Sequence, residues 1–255
     1  MPAPRPSLPP HRGRGLSLVL ALVVLAIGRT AMAADGPPVT VYYYERAPYY
    51  VVGADDTVAG TAIQPTRTAF DAAGIPYVLE RTSVQRIFEL MRGEPGLFCS
   101  PGWYKTEERL RFAKFTRPIL RDAPTVGIAR KGYVVPPGTR FADLVTTNMI
   151  LLLSTSGFSY GPYLDQQIAR KDPSQIIRLT SGGHRLIEML LAGHADLALT
   201  TEEEARTFAA DGIGGLDYPI IHFADVVDGD ARYIMCSRGV PDEAMRRLDQ
   251  AIAFR

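Results

Sequence analysis

The chain has 255 residues, and 28 Lys and Arg against 27 Asp and Glu leave a formal net charge of +1. So even a balance gives no electrostatic footing for nucleic acid or an anionic membrane surface, and neither is expected as a partner. The length allows one large domain or two lobes of ordinary size, and no heptads, fixed-period repeats or low-complexity tracts interrupt it.

Residues 1–33 read as an export signal. Arg5, Arg12 and Arg14 make a basic start, Leu16 to Ile27 is an apolar run short for a bilayer span, and Ala31-Met32-Ala33 is a small-x-small cleavage site. Cleavage after Ala33 predicts a periplasmic protein, with an uncleaved anchor as the alternative. No Cys follows the apolar run to carry a lipid. In an oxidising compartment, Cys99 and Cys236 either form a disulfide or stay as two buried thiols. Each ends an apolar, strand-like run, and sequence alone leaves both options open.

Val39 to Tyr44 is dense in β-branched and aromatic residues and reads as a strand, left by Arg46-Ala47-Pro48-Tyr49-Tyr50. A helix from Thr61 to Ala73 stops at Gly74, and Tyr77 to Glu80 is a short strand. Ser83 caps a helix carrying Ile87, Leu90 and Met91, ended by Gly93. Arg86 in its first turn opposes the helix dipole. That placement admits two readings, a cation aimed at an anion or an exposed side chain satisfied by Glu89 or Glu80.

A strand end at Gly96 to Cys99 leads into a turn with exposed aromatics, Trp103 and Tyr104, then Thr106-Glu107-Glu108-Arg109. Phe112, Phe115 and Thr116 restart a strand. Pro118 to Pro124 is extended and irregular, and Thr125 to Arg130 is again a strand. Met149 to Leu153 is apolar throughout, as expected of a strand buried on both faces. It feeds a hydroxyl-rich loop, Ser154 to Gly161, and a helix from Pro162 through Ile168. Free N–H groups at such a helix entrance suit an anion, making Ser156, Phe158, Ser159 and Tyr160 candidates.

Gly157 to Gly161 also matches G-x-S-x-G on a strand-turn-helix, the setting of a hydrolase nucleophile. Asp196 or Asp217, then His222, supply the order Ser, Asp, His, but no HGGG-type loop lies upstream. Ile176 to Leu179 is a strand, His184 to Ala192 a helix ended by Gly193, and Ala195 to Thr201 another strand. Glu202, Glu203 and Glu204 fit the first turn of a helix capped by Thr200, Glu203 completing a capping box, or else bring negative charge to a site. Histidines 11, 184, 194 and 222 lack ligand spacing, so no metal or cofactor is expected. A turn at Asp228-Gly229-Asp230, a strand Arg232 to Cys236 and a helix with Met245, Leu248 and Ile252 follow.

Alternating strands and helices argue an α/β protein. Several of these pieces together resemble family 3 extracellular solute-binding proteins, the periplasmic receptors of polar amino-acid uptake. They are the T-x-x-R at Thr106 to Arg109 with Phe115-Thr116 beyond it, the Pro48-Tyr49 loop, and the run Leu191, Gly193, Ala195-Asp196-x-Ala198. The resemblance spans Val39 to about Ile252 and is to a divergent branch. It implies a type II two-lobe fold, with residues 34–120 and 229–255 as lobe 1, residues 121–228 as lobe 2, and two hinge strands beside a central cleft.

The resemblance also assigns roles. Arg109 matches the clamp on the ligand carboxylate, where a planar fork makes two charge-assisted bonds. Tyr44 and Arg46 line the first loop, Arg46 standing where an aromatic usually stacks. Trp103 and Tyr104 give stacking contact, and Ser156, Phe158, Ser159 and Tyr160 form the second lobe's grip. Thr201 replaces the Asp that meets a ligand ammonium. With Arg46 and Arg86 nearby, a ligand richer in negative charge than a zwitterion is expected. The family adds a further amphipathic helix after the last one here, so lobe 1 is expected to be short.

The function implied is capture of a small, carboxylate-bearing, amino-acid-like solute by a monomeric, non-enzymatic receptor serving an inner-membrane ABC permease. Three alternatives stand beside it: a dehydratase-like enzyme on the same scaffold using Glu202, a serine hydrolase using Ser159, and a ligand-sensing accessory protein.

Overall fold

The computed structural model describes Met1 and residues 36–93, 96–146, 152–180, 182–212 and 218–254. The export signal with its cleavage after Ala33, the start of the apolar run at Met149, and Asp217 lie outside the described residues. Contacts divide the chain between Asp35 and Gly36, and Gly36–Arg255 is one compact unit.

In chain order that unit contains β1 (Val39–Tyr43), β2 (Val51–Val52), β3 (Val58–Ala59), α1 (Ile63–Ala73), β4 (Tyr77–Arg81), α2 (Val84–Arg92), β5 (Phe98–Trp103), α3 (Glu107–Leu110) and β6 (Ala113–Arg121). Then come β7 (Thr125–Ala129), α4 (Phe141–Thr146), β8 (Leu152–Thr155), α5 (Pro162–Ile168), β9 (Ile176–Leu179), α6 (His184–Leu191), β10 (Leu197–Thr201), α7 (Glu202–Ala210) and β11 (Ile220–Ile221). The chain closes with β12 (Ala231–Ser237) and α8 (Asp242–Ala251).

Two five-stranded sheets result, ordered β4-β1-β5-β12-β6 and β11-β7-β10-β8-β9. In the first, β1 is parallel to β4 and β5, whereas β12 runs antiparallel between β5 and β6. The first lobe is therefore completed by a strand that returns after the whole second sheet has formed. Along β12, Ile234 enters the core holding Val41, Phe70 and Leu248, and Met235 enters the one holding Ile63, Ile87 and Trp103. A sheet covered on both faces needs apolar residues at successive positions, and RYIMCS supplies them. The second sheet repeats this: Leu152 and Leu153 point into separate cores.

Cys99 and Cys236 sit opposite each other in the β5–β12 register and are joined by a disulfide. Gly74 closes α1 in the left-handed conformation, at φ 61°, as its sequence position predicts.

Three local expectations need correction. Strand β5 runs on to Trp103, so the turn expected to expose its aromatics buries them, Trp103 at 3% and Tyr104 at 6% exposure. The indole N–H donates to Ser100 Oγ at 2.8 Å, and the ring meets Phe88 edge-on, so a polar partner and an apolar neighbour both hold it inside. Second, β6 continues through Pro118 to Arg121, into what reads as hinge. Pro118 is tolerated because the β12 pairing shifts register beside it. Third, α7 is capped by Thr201 rather than Thr200, and Glu204 rather than Glu203 completes the capping box.

Candidate functional site

The loop after β5 delivers Arg109. Thr106 caps α3 by accepting the Arg109 backbone N–H at 3.3 Å, which fixes where the side chain starts. Arg109 is 5% exposed, and its guanidinium lies over the Trp103 and Phe88 rings, 5.1 and 5.4 Å from their centroids. One arm donates to the Tyr104 carbonyl at 2.6 Å. The other reaches the second lobe and donates to the Gly157 carbonyl at 2.9 Å. Gly157 presents that oxygen from a left-handed turn, φ 79°, where any Cβ would also press on Phe88. Burial pulls the Arg109 pKa down to about 10, so the side chain is still a cation at neutral pH. Among the described residues it has no carboxylate ion-pair partner.

A cavity of ≈ 550 Å³ opens beside it, between α2 and the Ser156–Ser159 loop. Phe88, Arg92, Ser156, Ser159 and Asp165 contribute to its wall. Arg92 is engaged by Glu108 at 2.8 Å and stacks on Phe88 and Phe112. Burial pushes the Asp165 carboxyl up from its ordinary range, against the hydrogen bonds that it accepts from the Ser159 hydroxyl and the Tyr160 N–H. Those bonds also correct an expectation. Two N–H groups at the α5 entrance are already engaged inside the chain, Tyr160 N–H by the Asp165 carboxylate and Gly161 N–H by Ser159 Oγ.

Deeper between the lobes, Arg46 forks onto Glu204, Nε to Oε1 and Nη2 to Oε2, both at 2.7 Å. Thr200 adds a hydroxyl to Glu204 at 2.9 Å, and Thr201 caps the same helix. The Arg46 guanidinium centre lies 4.3 Å from the Phe158 centroid and 4.9 Å from that of Tyr49. Burial alone would lower Arg46 and raise Glu204. Their mutual attraction reverses both, holding Arg46 above and Glu204 below its ordinary value. The Tyr49 hydroxyl hydrogen-bonds Thr201 at 2.9 Å and Asp122 at 3.0 Å, again across the cleft.

Of the residues singled out by sequence, Arg109, Ser156, Phe158 and Ser159 come together at the cavity. Trp103 lies under Arg109, and Tyr44 packs on Trp103, Tyr50 and Phe158 behind it. Thr201 and Arg46 meet in the deep cleft, where Arg46 is consumed by Glu204. Three others are elsewhere. Arg86 is exposed and pairs with Glu89 at 3.2 Å, because its helix buries Val84, Ile87, Phe88 and Met91 instead. Tyr104 and Tyr160 are structural: Tyr104 donates to Asp122, and Tyr160 accepts the Thr155 N–H at 3.0 Å. Burial raises the Tyr160 phenol to about 12. With Arg46 and Arg86 both neutralised, the argument for an unusually anionic ligand loses its basis.

Sequence reasoning missed Phe88, Arg92 and Asp165 as cavity residues, and named Glu204 only as one of three acids that could bring negative charge to a site. Glu204 was signalled only by its place at the third helical position after a Thr, with the register set one residue too early. Asp165 carried no signal beyond being an acid early in a helix.

Among the described residues a Ser-His-Asp arrangement is not assembled. Ser159 donates to Asp165, Asp196 accepts from Arg130 at 2.7 Å, and His222 lines a separate cavity with Tyr133 and Ile221. Glu202 is bound to Arg206 one turn along α7. Among the described residues no cluster of His, Cys, Asp and Glu is built to hold a metal ion.

No family model matches the sequence, and no curated protein matches it. Solved structures do. The arginine-, lysine-, histidine-binding protein ArtJ of Geobacillus stearothermophilus is similar with a TM-score of 0.67 at 19% identity, over 85% of this chain and 88% of that one. The holo form of ArgBP from T. maritima gives 0.65 at 18% identity, over 84% and 88%. A histidine kinase sensor domain with similarity to periplasmic binding proteins gives 0.65 at 16% identity, over 85% and 89%. At these identities the likeness is one of fold, the two-lobe α/β architecture with a cleft between the lobes.

Proposed function

We propose that this chain is a solute receptor that holds a small, carboxylate-bearing, amino-acid-like ligand in the cavity beside Arg109. One observation carries the reading: an arginine that is 5% exposed, without a carboxylate partner among the described residues, borders a solute-sized hollow between two lobes. A buried cation is costly unless it is answered, and a ligand carboxylate answers it with two parallel hydrogen bonds. Asp165, across the same hollow, offers negative charge to a ligand ammonium. Ser156 and Ser159 add hydroxyls, and Phe88 and Phe158 an apolar wall.

The structural neighbours that bind amino acids support this class of ligand, and the likeness to a periplasmic domain supports export of this chain through the segment ending at Ala33. Binding rather than catalysis is favoured because Ser159 and Glu202 are both tied to structural partners. Delivery to an inner-membrane permease is one use of such a receptor. Sensing is the second, favoured by the likeness to a kinase sensor domain and to the B. pertussis BvgS periplasmic domain, of which this chain covers 40%.

The test is calorimetric titration with α-amino acids, simple carboxylates and amines lacking a carboxylate. Carboxylate-bearing ligands should bind, amines should not, and Arg109→Met should abolish the signal. Equal binding by Arg109→Met would overturn the reading.

A further inference from the structure

The deep cleft already has an occupant, and it belongs to the chain. Arg46 sits in the loop after β1, a position from which an arginine ordinarily reaches water at little cost. Instead its side chain is 10% exposed, and every surface of the guanidinium is answered. Its edge makes the two 2.7 Å bonds to Glu204. One face lies against Phe158 and the other contact is Tyr49, at 4.3 and 4.9 Å to the ring centroids. The remaining arm reaches the Tyr44 hydroxyl at 3.4 Å.

These partners divide between the lobes. Tyr44 and Tyr49 come from the same loop as Arg46, while Glu204 and Phe158 come from α7 and the loop after β8. If the lobes parted, Arg46 would lose its carboxylate and its closest ring together. Glu204 would keep only the Thr200 and Thr201 contacts at the end of β10. A buried pair of this kind is worth forming only when both partners are in place, so its free energy differs between an open and a shut cleft.

We propose that Arg46 is an internal ligand: a tethered guanidinium that fills a cage built from both lobes and keeps them shut with no solute bound. Solute then enters the cavity beside Arg109 without the lobes first having to close around it. The inference does not depend on what that cavity binds.

The test is small-angle scattering on the purified protein without added solute. The wild-type protein should be compact, and millimolar guanidinium chloride should not change its radius of gyration. Arg46→Ala should open and show a larger radius, and guanidinium should restore the compact value where equal sodium chloride does not. Glu204→Gln should also open, and guanidinium should fail to close it because the carboxylate is gone. If Arg46→Ala loses its native circular dichroism, Arg46→Lys makes the same comparison, since an ammonium keeps the charge but not the fork or the flat faces. An Arg46 variant as compact as wild type, or a radius that responds equally to guanidinium in Glu204→Gln, would overturn the proposal.

Discussion

Arg232 and Asp122 meet where the chain leaves the first lobe and where it returns. The Arg232 Nε lies 2.8 Å from Asp122 Oδ1 and its Nη2 2.7 Å from Oδ2, with the two side chains 5% and 1% exposed. Arg232 Nη1 donates to the Gly102 carbonyl at 2.6 Å, and the Tyr49 and Tyr104 hydroxyls complete the Asp122 shell. The pair therefore ties the two inter-lobe crossings to β5 and to the first loop.

Breaking that pair from one side should be costly. Arg232→Met leaves a buried carboxylate with only hydroxyl donors, and should lower unfolding free energy by about 3–5 kcal/mol. The double variant Arg232→Met with Asp122→Leu should recover most of the loss. Urea unfolding of the three proteins checks this; a single variant within about 1 kcal/mol of wild type would show the pair to be dispensable.

Arg109 should behave in the opposite way. Its fall to about 10 corresponds to about 3 kcal/mol against the buried charge, roughly offset by two bonds to carbonyls. Arg109→Met should therefore change stability in buffer far less than Arg232→Met does. It should nevertheless lose the thermal stabilisation that a carboxylate ligand confers, about 3 kcal/mol at a hundredfold excess over Kd. Melting both variants with and without ligand separates a binding residue from a structural one.

Sheets and helices were legible because their signals are local and periodic. Gly74 and Gly93 mark helix ends, Ser83 a helix start, and continuous apolar runs such as Arg232 to Cys236 a strand covered on both faces. The inter-lobe site was only half legible. Thr106 to Arg109 is one contiguous motif, and it led to the cavity. Arg46 and Glu204 are 158 residues apart, and nothing near either announces the other. Arg86 misled because a helix has several outward faces, and only tertiary packing decides that the one bearing Gln85 and Arg92 borders the cavity. The capping box was read one residue early because Thr200 and Thr201 satisfy the same local rule.

The Arg46–Glu204 pair gives a pH signature of known sign. Glu204 is held below its ordinary value in the folded chain, so folding favours its ionised form. Its contribution is present above the ordinary carboxylate range and is lost as pH falls through the lowered folded value. Glu204→Gln should thus melt below wild type at pH 7, because the charge-assisted fork from Arg46 and the carboxylate of the capping box are both lost. The gap should narrow as pH drops below about 4. A gap independent of pH would mean that the side chain acts through packing and capping alone.

The Cys99–Cys236 disulfide spans 137 residues and fastens the returning β12 to β5, its neighbour in the sheet. Its chief effect falls on the unfolded chain, which it constrains into a long closed loop. Replacing both cysteines by Ala keeps the strand pairing, which rests on backbone bonds and on Ile234 and Met235 in the two cores. Folding should therefore survive, with stability reduced by about 3–5 kcal/mol. The urea dependence should steepen at the same time, because a chain freed of the loop exposes more surface when it unfolds. An unchanged slope with a lowered midpoint would place the effect in the folded state, in the packing around residues 99 and 236.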